Sequence, residues 1–168
     1  MAKIKVGIVG CGFIANFKHL PSISLHEDVE VVAFCDIIRE KAAASAAKFG
    51  TPDALVCEDY HELLARTDID VVHVCTPNSS HSEITVAALK SGKHVMCEKP
   101  MAKTSAEAKV MLDASRESGK LLTIGYQNRF REDSLLMKKL CDNGDLGETL
   151  DFLHKSPWII PAASGGNF

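Results

Sequence analysis

Two hydrophobic rhythms alternate along the chain. Short apolar runs that suit strands buried on both faces stand at Ile4 to Val9, Val29 to Asp36, Ala54 to Cys57, Asp70 to Cys75, His94 to Cys97 and Leu121 to Gly125. Between them lie stretches of helical period. Ile38, Ala42, Ala46 and Phe49 recur every three or four residues before Gly50, and Ala108, Met111, Leu112 and Ser115 share a face before Gly119. Three helices are expected to open on capping boxes: Asp59 with Glu62, Ser80 with Glu83 and Thr104 with Glu107. Another helix is expected from Phe13 to Leu25, disturbed around Pro21. Six strands alternating with helices predict an α/β fold, a doubly wound parallel sheet in the order 3-2-1-4-5-6.

Beyond the sixth strand the pattern continues with a helix through Leu135, Leu136 and Leu140 and a strand from Glu148 to about Lys155. Pro161 to Asn167 then has the composition of a loop. A lone strand there would expose Leu150, Phe152 and Trp158, so the tail from Gly147 onward is expected to be disordered or borrowed by a neighbouring chain.

The first strand runs directly into Gly10-Cys11-Gly12-Phe13-Ile14-Ala15. In such a turn Gly10 permits a bend too tight for a Cβ, Gly12 lets the backbone approach a pyrophosphate, and Ala15 allows helix to pack on strand. The same spacing also fits a plain strand–turn–helix packing motif. Asp36 ends the second strand 21 residues beyond Ala15, where a carboxylate can hydrogen-bond an adenosine ribose, and this favours dinucleotide binding. The carboxylate also repels a 2′-phosphate, so NAD is the expected cofactor, although nearby Arg39 leaves NADP open.

Composition excludes several other classes. With 168 residues, 46% of them hydrophobic, and a net charge of −3, the chain has a core but no excess of positive charge for nucleic acid or an anionic membrane. No apolar run approaches the roughly 18 residues of a membrane span, and a cytoplasmic protein is expected. The six cysteines form no C-x-x-C pair and no zinc spacing with histidine, so no metal site is expected. Cys35, Cys75 and Cys97 close predicted strands, which suits reduced thiols in a core.

Ligands of an open parallel sheet bind outside the carboxyl ends of its strands, so the residues there carry the candidate chemistry. Glu98-Lys99-Pro100 follows the fifth strand, and proline restricts Lys99 to an extended backbone that aims its ammonium. Lys99 is a candidate to polarise a substrate oxygen or relay a proton, with Glu98 on the cofactor ribose or orienting the lysine; the alternative is a surface ion pair. His81 either faces the same cleft or packs and caps locally. His73 is expected to be a satisfied core histidine, and Arg129 either binds substrate or pairs with a helix carboxylate.

With these loops in view, the sequence resembles the Gfo/Idh/MocA family, named for glucose–fructose oxidoreductase, inositol dehydrogenase and a rhizopine-catabolism protein. The resemblance runs through the glycine turn, Thr76-Pro77-Asn78-Ser79-Ser80-His81 and above all Gly92-Lys93-His94-Val95-Met96-Cys97-Glu98-Lys99-Pro100. It implies that Gly10, Gly12, Phe13 and Ile14 line the NAD(P) pyrophosphate and Asp36 the adenosine ribose. It further implies that Thr76, Asn78 and His81 border the nicotinamide half, with Glu98 and Lys99 at the reacting centre. The implied reaction is hydride transfer between nicotinamide and a carbinol carbon of a sugar, polyol or related small molecule.

The resemblance also implies a second α/β domain that closes the substrate site and commonly builds the oligomer interface, so a homo-oligomer is a further expectation. Family enzymes carry an aspartate and a proton-transferring histidine in a motif that begins with a glycine pair. Gly165-Gly166-Asn167-Phe168 resembles its opening. The expected organisation is therefore a dinucleotide-binding domain over 1–126 and, over 127–168, a connecting helix with the first segment of a truncated substrate domain. Such a chain is expected to bind NAD(H) without turnover by itself, as half of an oxidoreductase or, alternatively, as a non-catalytic nucleotide-binding module.

Overall fold

The computed structural model describes residues 2–147, which divide after Tyr126 into two compact units. The first unit is built on a six-stranded sheet of β1 (Ile4–Val9), β2 (Val29–Cys35), β3 (Gly50–Cys57), β4 (Val71–Val74), β5 (His94–Cys97) and β6 (Leu122–Ile124). Every pairing is parallel, and the order across the sheet is β3-β2-β1-β4-β5-β6, as the alternation of strands and helices predicts. Helices cover both faces. Alternation along each strand sends Val6, Ile8 and Phe34 to one face with Ala15, Leu20 and Ala42, while Val72, Val74, Val95 and Cys97 pack on the other with Leu63, Ile84 and Met111. Full burial of side chains such as Phe34, Ile8, Leu63 and Leu89 contributes about 1.5–3 kcal/mol each.

The helices are α1 (Leu20–Ile23), α2 (Arg39–Phe49), α3 (Tyr60–Ala65), α4 (His81–Lys90) and α5 (Ser105–Ser118). The helical run after the glycine turn widens into a π-helical turn over Ala15–His19 before α1. Pro21 accounts for the widening: it has no N–H, and its ring crowds the carbonyl one turn back, so the disturbance falls ahead of the proline. The helix into Gly50 ends with that residue extended at φ −85°, not left-handed. Glycine is needed there because a Cβ would lie 2.8 Å from both the Ala46 carbonyl oxygen and Phe34.

Two of the three expected caps form, each in altered detail. Asp59 accepts the His61 amide at 2.9 Å and Thr104 accepts the Glu107 amide at 3.2 Å, while the Glu107 carboxylate returns to the Lys103 amide. Ser80 does not cap α4; its hydroxyl donates backwards to Thr76 Oγ1 and to the Pro77 carbonyl, both at 2.9 Å. Ile38 also departs from the helical reading. It is an extended residue ahead of α2, 43% exposed, beside Ile37 at 88%. Leu112 is likewise turned outward on α5, whose buried positions are Met111 and Ala114.

In the second unit a 3-10 turn at Gln127–Phe130 precedes α6 (Glu132–Asp142), where the expected helix lies. The guanidinium that pairs with a helix carboxylate is Arg131, to Asp133 at 2.7 Å. The strand expected over 148–155 and the tail beyond it lie outside the described residues. Among those described, no helix is long and apolar enough to cross a membrane.

Candidate functional site

The glycine turn is fixed from three sides. Gly10 has φ +92°, and a Cβ on it would stand 2.7–2.8 Å from the backbone of Cys75 and Thr76, so only glycine lets β1 end against the end of β4. The Asp36 carboxylate then straddles the turn. Its Oδ2 accepts the Cys11 amide at 2.8 Å and its Oδ1 the Ile38 amide at 2.9 Å. From behind, the Asn16 side-chain amide donates to the carbonyls of Cys11 (2.8 Å) and Gly12 (3.0 Å), and the Ser45 hydroxyl donates to Asn16 Oδ1. With those carbonyls tied back, the amides opening the helical run are left facing forward, where an anion is favoured. A Cβ on Gly12 would meet nothing within 4 Å, so the space over the turn is open.

That space belongs to a cavity of about 620 Å³ at the carboxyl ends of β1 to β4. Gly10, Gly12, Asp36 and Thr76 all line it, so four of the residues singled out in the sequence converge there. Pro77, Ser79 and Ser80 of the motif after β4 also line it, while Ile37, Ile38 and Ile84, which make the wall apolar, and the polar Lys41, Tyr60 and Glu83 were not singled out as site residues. The available signal was the pair of isoleucines directly after Asp36, too apolar for an ordinary turn. The open glycine turn, the carboxylate beside it and the apolar wall fit a dinucleotide's diphosphate, ribose and base.

The other candidates lie outside this cavity. Phe13 is 70% exposed and stacks on Phe17 with ring centroids 4.4 Å apart, Ile14 packs against the core on the helix face, and Asn78 opens an exposed 3-10 turn. Glu98 is buried, its Oε1 2.7 Å from His19 Nε2 and its Oε2 accepting the Lys99 amide at 3.0 Å. The glutamate therefore pairs with a histidine that no motif singled out. Lys99 is exposed, and its ammonium makes no ion pair or hydrogen bond among the described residues.

His81 does not reach the cleft surface: it is fully buried, with Nδ1 2.8 Å from the Pro100 carbonyl oxygen and Nε2 2.9 Å from that of Thr76. It ties the loop after β4 to the loop after β5. His73 is half-buried; its Nδ1 is shut from solvent and has no partner among the described residues, so it is not satisfied as the sequence led us to expect, and its ring meets that of His19 edge-on at 5.4 Å. Burial, with the neighbouring His19 second, lowers its pKa to about 4.

Each of the five strands from β1 to β5 ends within two residues of a buried cysteine: Cys11, Cys35, Cys57, Cys75 and Cys97. All are free thiols. Burial pushes Cys11 up to about 12 and Cys97 up to about 11, which holds both protonated and unreactive at neutral pH.

Comparison with known proteins agrees with this geometry. Residues 4–126 match the family described as an oxidoreductase family with an NAD-binding Rossmann fold, GFO_IDH_MocA. The chain is 40% identical over 145 residues to D-glucoside 3-dehydrogenase of Escherichia coli, covering 86% of this chain and 41% of that protein. It is 36% identical over 149 residues to inositol 2-dehydrogenase of Salmonella typhimurium, covering 88% and 44%. Among solved structures, the WlbA dehydrogenase from Bordetella pertussis in complex with NADH and UDP-GlcNAcA superposes with a TM-score of 0.80 at 32% identity, covering 88% of this chain and 42% of that one. A 3-ketoreductase from Actinomadura kijaniata in complex with NADP gives a TM-score of 0.78 at 31% identity, covering 87% and 46%. The chain thus spans less than half the length of the proteins it matches.

Proposed function

The chain belongs to the Gfo/Idh/MocA oxidoreductase family, with its NAD-binding Rossmann fold, and on that premise we propose that it forms the cofactor-binding half of a dehydrogenase acting on a sugar or polyol. The observation that carries this reading is the Gly10–Gly12 turn, latched to Asp36 and open towards an apolar-walled cavity. In this reading the forward-facing amides near Gly12, Phe13 and Ile14 hold the diphosphate, and Asp36 accepts from the adenosine ribose hydroxyls with lone pairs its two backbone bonds leave free. Thr76 and Asn78 border the nicotinamide half, and His81 serves by holding their loop. Residues 1–126 do this work, and 127–168 connect to a substrate domain.

The nicotinamide, when bound, supplies the hydride acceptor or donor. Lys99 is assigned to the reacting alcohol: its unpaired ammonium holds the oxygen and stabilises the developing alkoxide charge. Glu98, held by His19, fixes the backbone from which that lysine projects. Sugar or polyol is the substrate class because the matched relatives are named for glucoside and inositol oxidation. The five buried free thiols suit the reducing cytoplasm.

NADH fluorescence titrated with the purified chain tests the reading. Saturable binding, competed by NAD, is the expected result, and no binding at millimolar protein-free cofactor would overturn it.

A further inference from the structure

The wall of the cavity beyond Asp36 has a polar edge that the ribose and diphosphate assignments leave unused. Tyr60, first residue of α3, and Glu83, in the first turn of α4, both line it, and the Tyr60 hydroxyl donates to Glu83 Oε1 at 3.1 Å. That bond joins the first turns of the helices that follow β3 and β4. It holds the carboxylate in one orientation while its Oε2 takes no hydrogen bond among the described residues. A second carboxylate, Glu58, lines the same cavity, and Ile37, Ile38, Ile84 and Pro77 supply apolar surface. A flat heteroaromatic base packs well on such surface, and the edge it presents to the carboxylates must carry a hydrogen-bond donor.

We propose that the Tyr60–Glu83 pair is a specificity element that reads the exocyclic amine of the cofactor's purine, selecting a 6-amino over a 6-oxo base. The proposal rests on the dinucleotide reading above. An amine donates to the free Glu83 oxygen, whereas a 6-oxo group loses that bond and sets two acceptors against each other. The position of Glu83 at the cavity rim moderates the effect through solvent.

The test compares NADH with its hypoxanthine analogue, deamino-NADH, by fluorescence titration of the full chain. Wild type is expected to bind NADH about three- to tenfold more tightly, the range of one hydrogen bond to a partly solvated charge. In Glu83→Gln the amide can turn either a donor or an acceptor to the base, so the ratio falls to near one. In Tyr60→Phe the carboxylate loses its anchor and the ratio falls part of the way. Circular dichroism checks that both variants are folded. Equal affinities in wild type with NADH binding intact, or an undiminished ratio in Glu83→Gln, overturn the proposal alone; failure to bind NADH overturns it together with the dinucleotide reading.

Discussion

His19 Nε2 lies 2.7 Å from Glu98 Oε1, and the two side chains are only 9% and 10% exposed. They are 79 positions apart in sequence, so the contact joins the helical run after β1 to the loop after β5. A carboxylate that far from water needs a donor, and the imidazole provides it. His19→Ala removes that donor and leaves the buried carboxylate only the Lys99 amide, so we expect a loss of about 2 kcal/mol in urea denaturation. His19→Gln retains a donor and should recover at least half of that. An alanine variant as stable as wild type would mean that water satisfies Glu98.

Gly10 and Gly12 are two residues apart and have opposite constraints. Gly10→Ala puts a methyl group into the Cys75–Thr76 backbone at a left-handed φ, and we expect it to cost about 3 kcal/mol or more in thermal unfolding. Gly12→Ala meets no neighbour, so its stability should stay within about 0.5 kcal/mol of wild type. If the open space seats a diphosphate, that same variant should weaken NADH at least about tenfold. Undiminished NADH binding by folded Gly12→Ala would remove the diphosphate from this place.

Asp36 serves both the turn and the proposed ribose contact, because its two oxygens already accept the amides of Cys11 and Ile38. Asp36→Ser retains an acceptor for one amide while removing the charge that opposes a 2′-phosphate, and Lys41 on the cavity wall can then attract one. The NADPH-to-NADH affinity ratio should rise by about tenfold or more in isothermal titration. A ratio that stays put would argue that the adenosine lies away from Asp36.

His73 makes stability depend on pH. Burial lowers its pKa to about 4 against an ordinary 6.5, so between those values the unfolded chain binds the extra proton. Stability from this group is full above about pH 6.5 and falls as pH drops towards 4. We expect a loss on the order of 2 kcal/mol across that window, allowing for partial solvent access. His73→Val removes the titrating group and the unpartnered Nδ1 together, so its urea midpoint should be flatter with pH over this range. An equally steep profile would assign the slope to other groups.

The parts of this molecule that were legible in its sequence are those governed by local rules. Short apolar runs marked all six strands, and the glycine spacing with the acid after β2 marked the turn, because each depends on neighbours close in the chain. The pairing of His19 with Glu98, the burial of His81 beneath two loops, and the Tyr60–Glu83 bridge arise only when strands distant in sequence are laid side by side. Ile38 shows the same limit at short range. Its spacing fits the apolar face of α2, yet the hydrogen bond that its backbone N–H donates to Asp36 Oδ1 holds it extended on the cavity wall.

The cysteines give the last prediction. Cys11, Cys35, Cys57, Cys75 and Cys97 are buried at the strand ends, whereas Cys141 on α6 is exposed. The thiolate is the reactive form, and a thiol that burial shuts from solvent reacts only when the fold opens, including Cys57, whose pKa its hydrogen bond with Cys35 lowers. Ellman's reagent should therefore label Cys141 within minutes and the other five at the rate of unfolding, with all six reacting in denaturant. If NADH occupies the cavity bordered by Cys35 and Cys75, saturating cofactor should slow those five further and leave Cys141 unchanged, because a ligand that binds only the folded state suppresses opening. Rapid labelling of more than one thiol in the native chain would show that the strand ends open locally, without global unfolding.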